Sequence, residues 1–215
     1  MYLGHDGAFF GDGFAPAINN AKGVATLEVM KKLSAYMDPE YLVSDSTYVQ
    51  QQFQQGKIAM SNLWATRAAA MNNADESQVV GKVTMSGAPT VGGGSTPAST
   101  LWWDGIVVAA NISDAEADNA FRVAMEGLDK AMVSANNAAT VWLVDGYEAT
   151  PEAAGAFATA NSGAKPYPAS KQMGMMHSAL GNGVAAFLTG DKSAEATLAD
   201  IEAAYITAAK EAGLM

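Results

Sequence analysis

The chain has 215 residues, a formal net charge of −10 and no cysteine. The acidic balance and the lack of any basic run argue against a nucleic-acid partner and against an anionic membrane surface. The lack of cysteine excludes disulfides, thiolate catalysis and zinc–thiolate sites. No segment is long and apolar enough to span a membrane, and the N-terminus does not have the pattern of a signal peptide.

Two helices are predicted in the first quarter of the chain. Apolar residues recur at three- and four-residue spacing over residues 21–36, which predicts an amphipathic helix that ends before Asp38-Pro39. Ser46 is placed to cap a shorter helix through Gln55, and Gly56 suits the left-handed residue that ends such a helix.

Three strands are predicted next, at Lys57–Ser61, Val79–Met85 and Leu101–Ala110. A helix over Ala65–Met71 separates the first two, and the run Gly92-Gly93-Gly94 predicts a flexible loop before the third. Strands separated by helices indicate an α/β fold with a small mixed sheet covered by helices.

The second half of the chain predicts mostly helices. Ser113 to Glu116 has the sequence of a capping box, and the following helix has an apolar stripe predicted to be buried: Ala117, Ala120, Phe121, Ala124 and Leu128. A further helix is predicted around residues 135–144, and Thr150-Pro151 predicts an N-cap with proline in the first turn. The sequence therefore divides into an α/β part, residues 1–110, and a helix-rich part, residues 111–215.

Two longer helices are predicted at the C-terminal end, after an extended segment at Lys165-Pro166-Tyr167-Pro168. The first covers Lys171–Thr189, and three glycines weaken it by about 1 kcal/mol each: Gly174, Gly181 and Gly183. The last helix starts at Ser193 and ends at Gly213. Its apolar stripe is formed by Leu198, Ile201, Tyr205 and Ala209.

Two adjacent tryptophans and a carboxylate interrupt the third predicted strand, at Trp102-Trp103-Asp104. An indole face beside a carboxylate suits a sugar ring or a cation. Because neighbouring strand residues point to opposite faces, Trp102 shares a face with Asp104 and Trp103 takes the other, unless a bulge at Gly105 twists the strand. The alternative is that the indoles belong to the core.

Other candidate ligand contacts lie near predicted turns. Trp64 follows the first predicted strand, where an aromatic can meet a ligand at the edge of a sheet, and Asn62 and Arg67 flank it as candidate hydrogen-bond partners. Tyr167 is held between two prolines. The structural alternatives are a core tryptophan, a solvated arginine and a simple turn.

No catalytic or metal-binding motif stands out. His5 and His177 lie far apart in sequence, without a second ligand at metal spacing. Neither a serine-hydrolase elbow nor a dinucleotide-binding loop is present. The facing carboxylates of a glycoside hydrolase stay open as an alternative, because 22 acidic residues leave many pairs.

Several short motifs occur in a characteristic order. Gly7–Phe10 and Pro16–Asn19 precede the first predicted helix. Residues 53–60 match the pattern F-x-x-G-K-x-A-M, and Trp64 follows them. Trp102–Ala109 and then residues 113–128 follow, and later motifs lie at Gly163–Pro168 and His177. Together they resemble the C-terminal half of bacterial extracellular solute-binding proteins of sugar-type ABC importers, the family that includes maltose-binding protein.

The resemblance implies a type II periplasmic-binding-protein-like lobe without catalysis, cofactor or metal. In this family two lobes close on a small-molecule ligand by a hinge and dock on a membrane permease, in the periplasm. The first lobe and the export signal would then precede Met1. The expected ligand is a carbohydrate, with Trp64 and Trp103 stacked on its ring faces and Asp104 and Asn62 accepting hydrogen bonds from its hydroxyl groups. The other expected contacts are Trp102, Arg67, Tyr167 and His177.

Asp104-Gly105 departs from the small residues that usually follow the family's tryptophan, and this leaves the ligand class open. A cationic osmolyte resembling betaine or choline is one alternative, and a glycosidase-like carbohydrate hydrolase is another. In a third alternative, the single lobe binds nothing specific and self-associates through the surface that its missing lobe would cover.

Overall fold

The computed structural model describes all 215 residues and contains seven α-helices with one pair of short strands. The helices are α1 (Ala21–Ser34), α2 (Ser46–Gln54), α3 (Asp114–Glu126), α4 (Lys130–Ala135), α5 (Ala154–Asn161), α6 (Lys171–Thr189) and α7 (Ala194–Glu211). Short 3₁₀ segments occupy Tyr2–His5, Asp12–Phe14, Ala65–Asn72 and Pro151–Ala153. None of the helices combines the length and the apolar character that crossing a bilayer requires.

Local capping explains where four of the helices begin. The side chains of Asn20, Ser113, Ser170 and Ser193 each accept a backbone N–H hydrogen bond from the first turn of the following helix. Ser113 and Glu116 form the predicted capping box. The hydrogen bonds from Ser113 stabilise the ionised carboxylate and hold the pKa of Glu116 below its ordinary value.

Two helix predictions are displaced from the observed positions. Asp45 caps α2 in place of Ser46, because its side chain accepts two backbone N–H hydrogen bonds and leaves Ser46 as the first helical residue. The helix predicted around residues 135–144 lies earlier in the chain, as α4, because the Asp129 side chain provides the N-cap.

The predicted mixed sheet is reduced to one parallel pair of two-residue strands, β1 (Thr100–Leu101) and β2 (Lys165–Pro166). Residues 57–61 and 79–85 form no strand, so those two predictions are wrong, and the third predicted strand is confined to β1. Alternating apolar residues favour a strand, but the strand is stable only when a neighbouring strand pairs with it, because the hydrogen bonds between the two strands stabilise both. The α/β fold is therefore dominated by helices.

The chain forms two compact units, each made of discontinuous segments. Unit 1 consists of Met1–Ser44, Ala88–Leu101 and Thr159–Met215, and unit 2 consists of Asp45–Gly87 and Trp102–Ala158. The predicted division at residue 110 follows a change in composition, whereas the units follow contacts. Each unit contains chain from both sides of residue 110.

The core of unit 1 lies where α6 packs against α7, with α1 in contact with both. The predicted stripe of α7 is confirmed as buried: Leu198, Ile201, Tyr205 and Ala209. It forms one apolar cluster with Met173 and Met176 of α6 and with Ile18. Glu202 accepts hydrogen bonds of 2.8 Å from the backbone N–H groups of Ile18 and Asn19, so α7 also anchors the N-terminal segment.

Unit 2 buries few apolar side chains, and those that it buries are Met71, Val133 and Ala153. The prediction of a buried stripe on α3 is wrong, since α3 has no buried residue and Phe121 is 55% exposed. Helical periodicity identifies the apolar face of a helix, but burial of that face requires a packing partner.

Two glycines of α6 predict opposite outcomes for the same substitution. A Cβ added at Gly183 would overlap Cγ1 of the buried Ile201, whereas a Cβ added at Gly181 would meet nothing within 4 Å. We expect Gly181→Ala to raise the free energy of unfolding by about 0.5–1 kcal/mol through helix propensity. We expect Gly183→Ala to lower it by about 1–3 kcal/mol through overpacking. Chemical denaturation measures both, and equal effects would contradict close packing of α6 on α7.

Candidate functional site

The first candidate site lies in unit 2 and consists of Trp64, Trp102 and Asp104, here called the tryptophan cluster. The two indole rings have centroids 6.0 Å apart and an interplanar angle of 58°. Trp102 Nε1–H donates a hydrogen bond of 3.1 Å to Asp104 Oδ1. Trp64 is 51% exposed and Trp102 is 48% exposed, so neither is a core tryptophan and both present ring surface to solvent.

The backbone explains which tryptophan meets the carboxylate. Trp102 and Asp104 are two residues apart, and the side chains of such residues point to one side of an extended chain. The hydrogen bond between them agrees with this alternation. Trp103 is 69% exposed, and its ring lies beside Gly105, where an added Cβ would come within 3.0 Å of Trp103 Cζ3. The geometry therefore associates Asp104 with Trp102.

Asp104 retains capacity to bind a ligand after it has bound the indole. An ionised carboxylate has two oxygens with about four acceptor positions, and the indole N–H occupies one of them. Asp104 is itself exposed. The cluster thus combines two indole faces with a carboxylate that can accept hydrogen bonds from hydroxyl groups or attract a cation.

Arg67 and Asn62 have different surroundings on either side of Trp64. Arg67 Nη1 donates to Gln50 Oε1 at 2.7 Å, and Arg67 Nη2 donates to Ser46 Oγ at 3.0 Å. These bonds tie the 3₁₀ segment that follows Trp64 to α2. Asn62 lies two residues before Trp64 and is exposed.

Sequence reasoning overlooked a polar groove in unit 2 next to this part of the chain. The groove is lined by Thr47, Gln50, Gln51, Gln54, Gln55 and Glu76. Gln54 is buried, its side-chain Nε2 donates to Ala70 O at 3.0 Å, and its backbone O accepts from Gln78 N–H at 2.8 Å. The repeated glutamines of α2 were the available signal, since one helix carries several amides near one another.

The second candidate site lies in unit 1 and pairs Tyr167 with His177. The Tyr167 hydroxyl and His177 Nδ1 are 3.1 Å apart, and the rings meet edge to face with centroids 6.1 Å apart. Tyr167 N–H donates to Leu101 O at 2.9 Å, which continues the β1–β2 pairing. Burial raises the pKa of Tyr167, so its hydroxyl stays neutral at physiological pH. His177 is exposed on α6.

No group of three or more His, Cys, Asp or Glu side chains lies close enough to hold a metal ion. His5 belongs to unit 1, and its ring lies against Gly92, where an added Cβ would come within 2.7 Å of it. The two histidines thus occupy separate environments within unit 1. His5 packs against Gly92, and His177 is paired with Tyr167.

The two arginines of unit 2 should differ in their contribution to stability, because Arg67 is hydrogen-bonded to α2 whereas Arg122 is exposed to solvent. We expect Arg67→Met to lower the free energy of unfolding by about 1–2 kcal/mol, because it removes the hydrogen bonds to Gln50 and Ser46. The matched variant Arg122→Met breaks an exposed ion pair with Asp118 on α3 and should cost at most about 0.5 kcal/mol. Chemical denaturation compares the two, and equal losses would contradict this difference.

Neither a family model nor a curated protein matches the chain, but solved structures do. One is an ABC transporter solute-binding protein from Agrobacterium radiobacter K84 in complex with ribitol. It shares 21% sequence identity with this chain at a TM-score of 0.77, and the match covers 94% of this chain and 54% of that chain. Maltose-bound T. maritima MalE3 is 19% identical with a TM-score of 0.77, over 96% of this chain and 55% of that chain. The chain spans about half the length of these proteins, and its fold is that of ABC transporter solute-binding proteins, which confirms the fold expected from the motifs.

Proposed function

We propose that this chain is a ligand-contacting part of a carbohydrate-binding protein of an ABC importer. The observation that carries the proposal is the tryptophan cluster, in which two half-exposed indoles lie together and one of them, Trp102, is hydrogen-bonded to a carboxylate. A sugar ring offers C–H faces that stack on indole and hydroxyl groups that donate to a carboxylate. The ribitol and maltose bound by two structural neighbours support a polyhydroxylated ligand.

The proposal assigns a role to each candidate residue. Trp64 and Trp102 stack on the ligand, Asp104 accepts hydrogen bonds from hydroxyl groups, and the exposed Asn62 supplies an amide beside Trp64. Trp103 is a further stacking surface on the side away from Asp104. Tyr167 and His177, which belong to unit 1, are a separate candidate hydrogen-bonding pair that we consider by itself. Arg67 acts through α2 by holding the segment that follows Trp64.

The proposed role is capture and delivery without covalent chemistry. Glycoside hydrolysis needs a facing pair of carboxyl groups, whereas the tryptophan cluster contains one, Asp104. We propose that the ligand is delivered to a membrane permease and that the protein acts in the periplasm. Support for both comes from the solute-binding proteins that share the fold.

The proposal predicts that Trp102 contributes more to sugar binding than its neighbour Trp103. We expect Trp102→Ala to weaken binding of the best sugar by about tenfold, because it removes a stacking surface worth about 1.4 kcal/mol. The matched variant Trp103→Ala should weaken binding about threefold or less, because Trp103 has no described contact with Trp64 or Asp104. Intrinsic fluorescence and calorimetry against a panel of sugars and polyols measure both.

Two results would contradict this assignment. A larger loss in Trp103→Ala than in Trp102→Ala would place the stacking surface on the other side of the segment. Wild-type protein that responds to no sugar or polyol at any concentration would remove the carbohydrate proposal itself.

A cationic osmolyte is the second candidate ligand, because the carboxylate of Asp104 lies against an indole in a chain of net charge −10. Asp104→Asn keeps an oxygen that can accept from Trp102 and from hydroxyl groups but removes the negative charge. We expect this variant to change sugar affinity less than tenfold and to weaken betaine or choline binding tenfold or more. Wild-type protein that binds choline and no sugar would favour the cationic ligand.

A further inference from the structure

The polar groove of unit 2 has the size and the lining of a small-molecule site. Its volume is about 600 Å³, within the range of about 300–1,000 Å³ that ligand pockets have. Four glutamine amides, one threonine hydroxyl and one carboxylate line it, and none of the lining residues is aromatic or aliphatic. Because every lining side chain carries a hydrogen-bonding group, a ligand that fills the groove must be polar along its whole length.

Two of the four amides are held in place by the protein itself. Gln54 is 4% exposed, and its side-chain Nε2 donates to Ala70 O at 3.0 Å. Gln50 Oε1 accepts from Arg67 Nη1 at 2.7 Å, and Gln50 Nε2 lies 3.4 Å from Gln54 Oε1. Amides that are already ordered lose little side-chain entropy when a ligand binds, so these contacts favour binding in the groove.

The groove retains hydrogen-bonding capacity in its buried and its exposed parts. The buried Gln54 Oε1 receives one long contact, from Gln50, although an amide oxygen can accept two hydrogen bonds. The amides of Gln51 and Gln55 are exposed and form no hydrogen bond with another side chain. A ligand can therefore be bound by acceptors and donors from the base of the groove to its rim.

We propose that the polar groove is a binding site for a straight-chain polyol, separate from the tryptophan cluster. A hydroxyl group both donates and accepts hydrogen bonds, and a glutamine amide does the same, so the two match along the groove. The C–H faces of a sugar ring would meet no aromatic ring there. None of the lining residues belongs to the tryptophan cluster, so the proposal does not rest on the function proposed for that cluster.

The charges around the groove disfavour an ionic ligand. Glu76 is the one charged residue of the lining, so the groove offers an anion no cation. The neighbouring guanidinium of Arg67 already donates to Gln50 and Ser46. A cation would be attracted to Glu76 but would leave the amide N–H groups without an acceptor. A neutral polyol accepts from these N–H groups and donates to the Glu76 carboxylate.

Calorimetry with straight-chain polyols from glycerol to sorbitol tests the proposal on the 215-residue chain. We expect Gln51→Ala to weaken binding of the best polyol about fivefold, because one hydrogen bond is lost. Gln52→Ala is the matched control, since Gln52 is the next residue of α2 and does not line the groove, and it should change the affinity less than about twofold. Alanine is the better helix former, so both variants retain α2.

Nuclear magnetic resonance locates the polyol independently. We expect the side-chain amide signals of Gln51 and Gln55 to shift when the polyol is added, and we expect the Trp102→Ala variant to bind the polyol as tightly as the wild type. Polyol binding at these amides in a protein that binds no sugar at the tryptophan cluster supports this inference and contradicts the proposed function alone.

Four results overturn the proposal. They are the absence of binding by every polyol, equal losses in Gln51→Ala and Gln52→Ala, tighter binding of a cyclic monosaccharide than of any polyol at these amides, and loss of polyol binding in Trp102→Ala. The last result would mean that the polyol occupies the tryptophan cluster instead of the groove.

Discussion

Close packing of α6 on α7 is the interaction on which unit 1 depends. Gly183 lets Ile201 approach the backbone of α6, and larger side chains at that position would separate the helices. The same face of α7 holds the N-terminal segment, because Tyr205 Oη donates to Phe14 O at 2.8 Å and Glu202 accepts from two backbone N–H groups. Since α6 also carries His177, the packing of this helix pair positions the group that meets Tyr167.

Unit 2 is held together by different forces. Its buried apolar side chains are few, and hydrogen bonds between side chains tie α2 to the following 3₁₀ segment through Arg67 and Gln54. Such contacts stabilise less than burial of a core does, because each replaces a hydrogen bond to water. Regions with few buried contacts open locally at low cost in free energy. The tryptophan cluster, proposed as the ligand contact, therefore lies in the unit with the fewer buried apolar side chains.

The ligand site proposed at the tryptophan cluster would suit two ligand classes, and electrostatics separates them. Indole stacking is available to a sugar and to a cation, so Trp64 and Trp102 do not discriminate between them. The charge on Asp104 does, since attraction to a cation depends on it while hydrogen bonding to hydroxyl groups requires only an acceptor. The shared fold does not decide the matter, because one fold hosts many binding functions and specificity resides in the side chains of the site.

The sequence by itself determined the features that arise from interactions between near neighbours. Caps at Ser113 and Ser193, and the shared side of Trp102 and Asp104, follow from backbone geometry within a few residues. The tertiary structure decided everything that needs a distant partner. Strands predicted at residues 57–61 and 79–85 did not form without a ladder, and the apolar stripe of α3 stayed exposed without a packing surface, whereas that of α7 was buried against α6. Periodicity specifies which face is apolar, but only contacts remote in sequence determine whether that face leaves water.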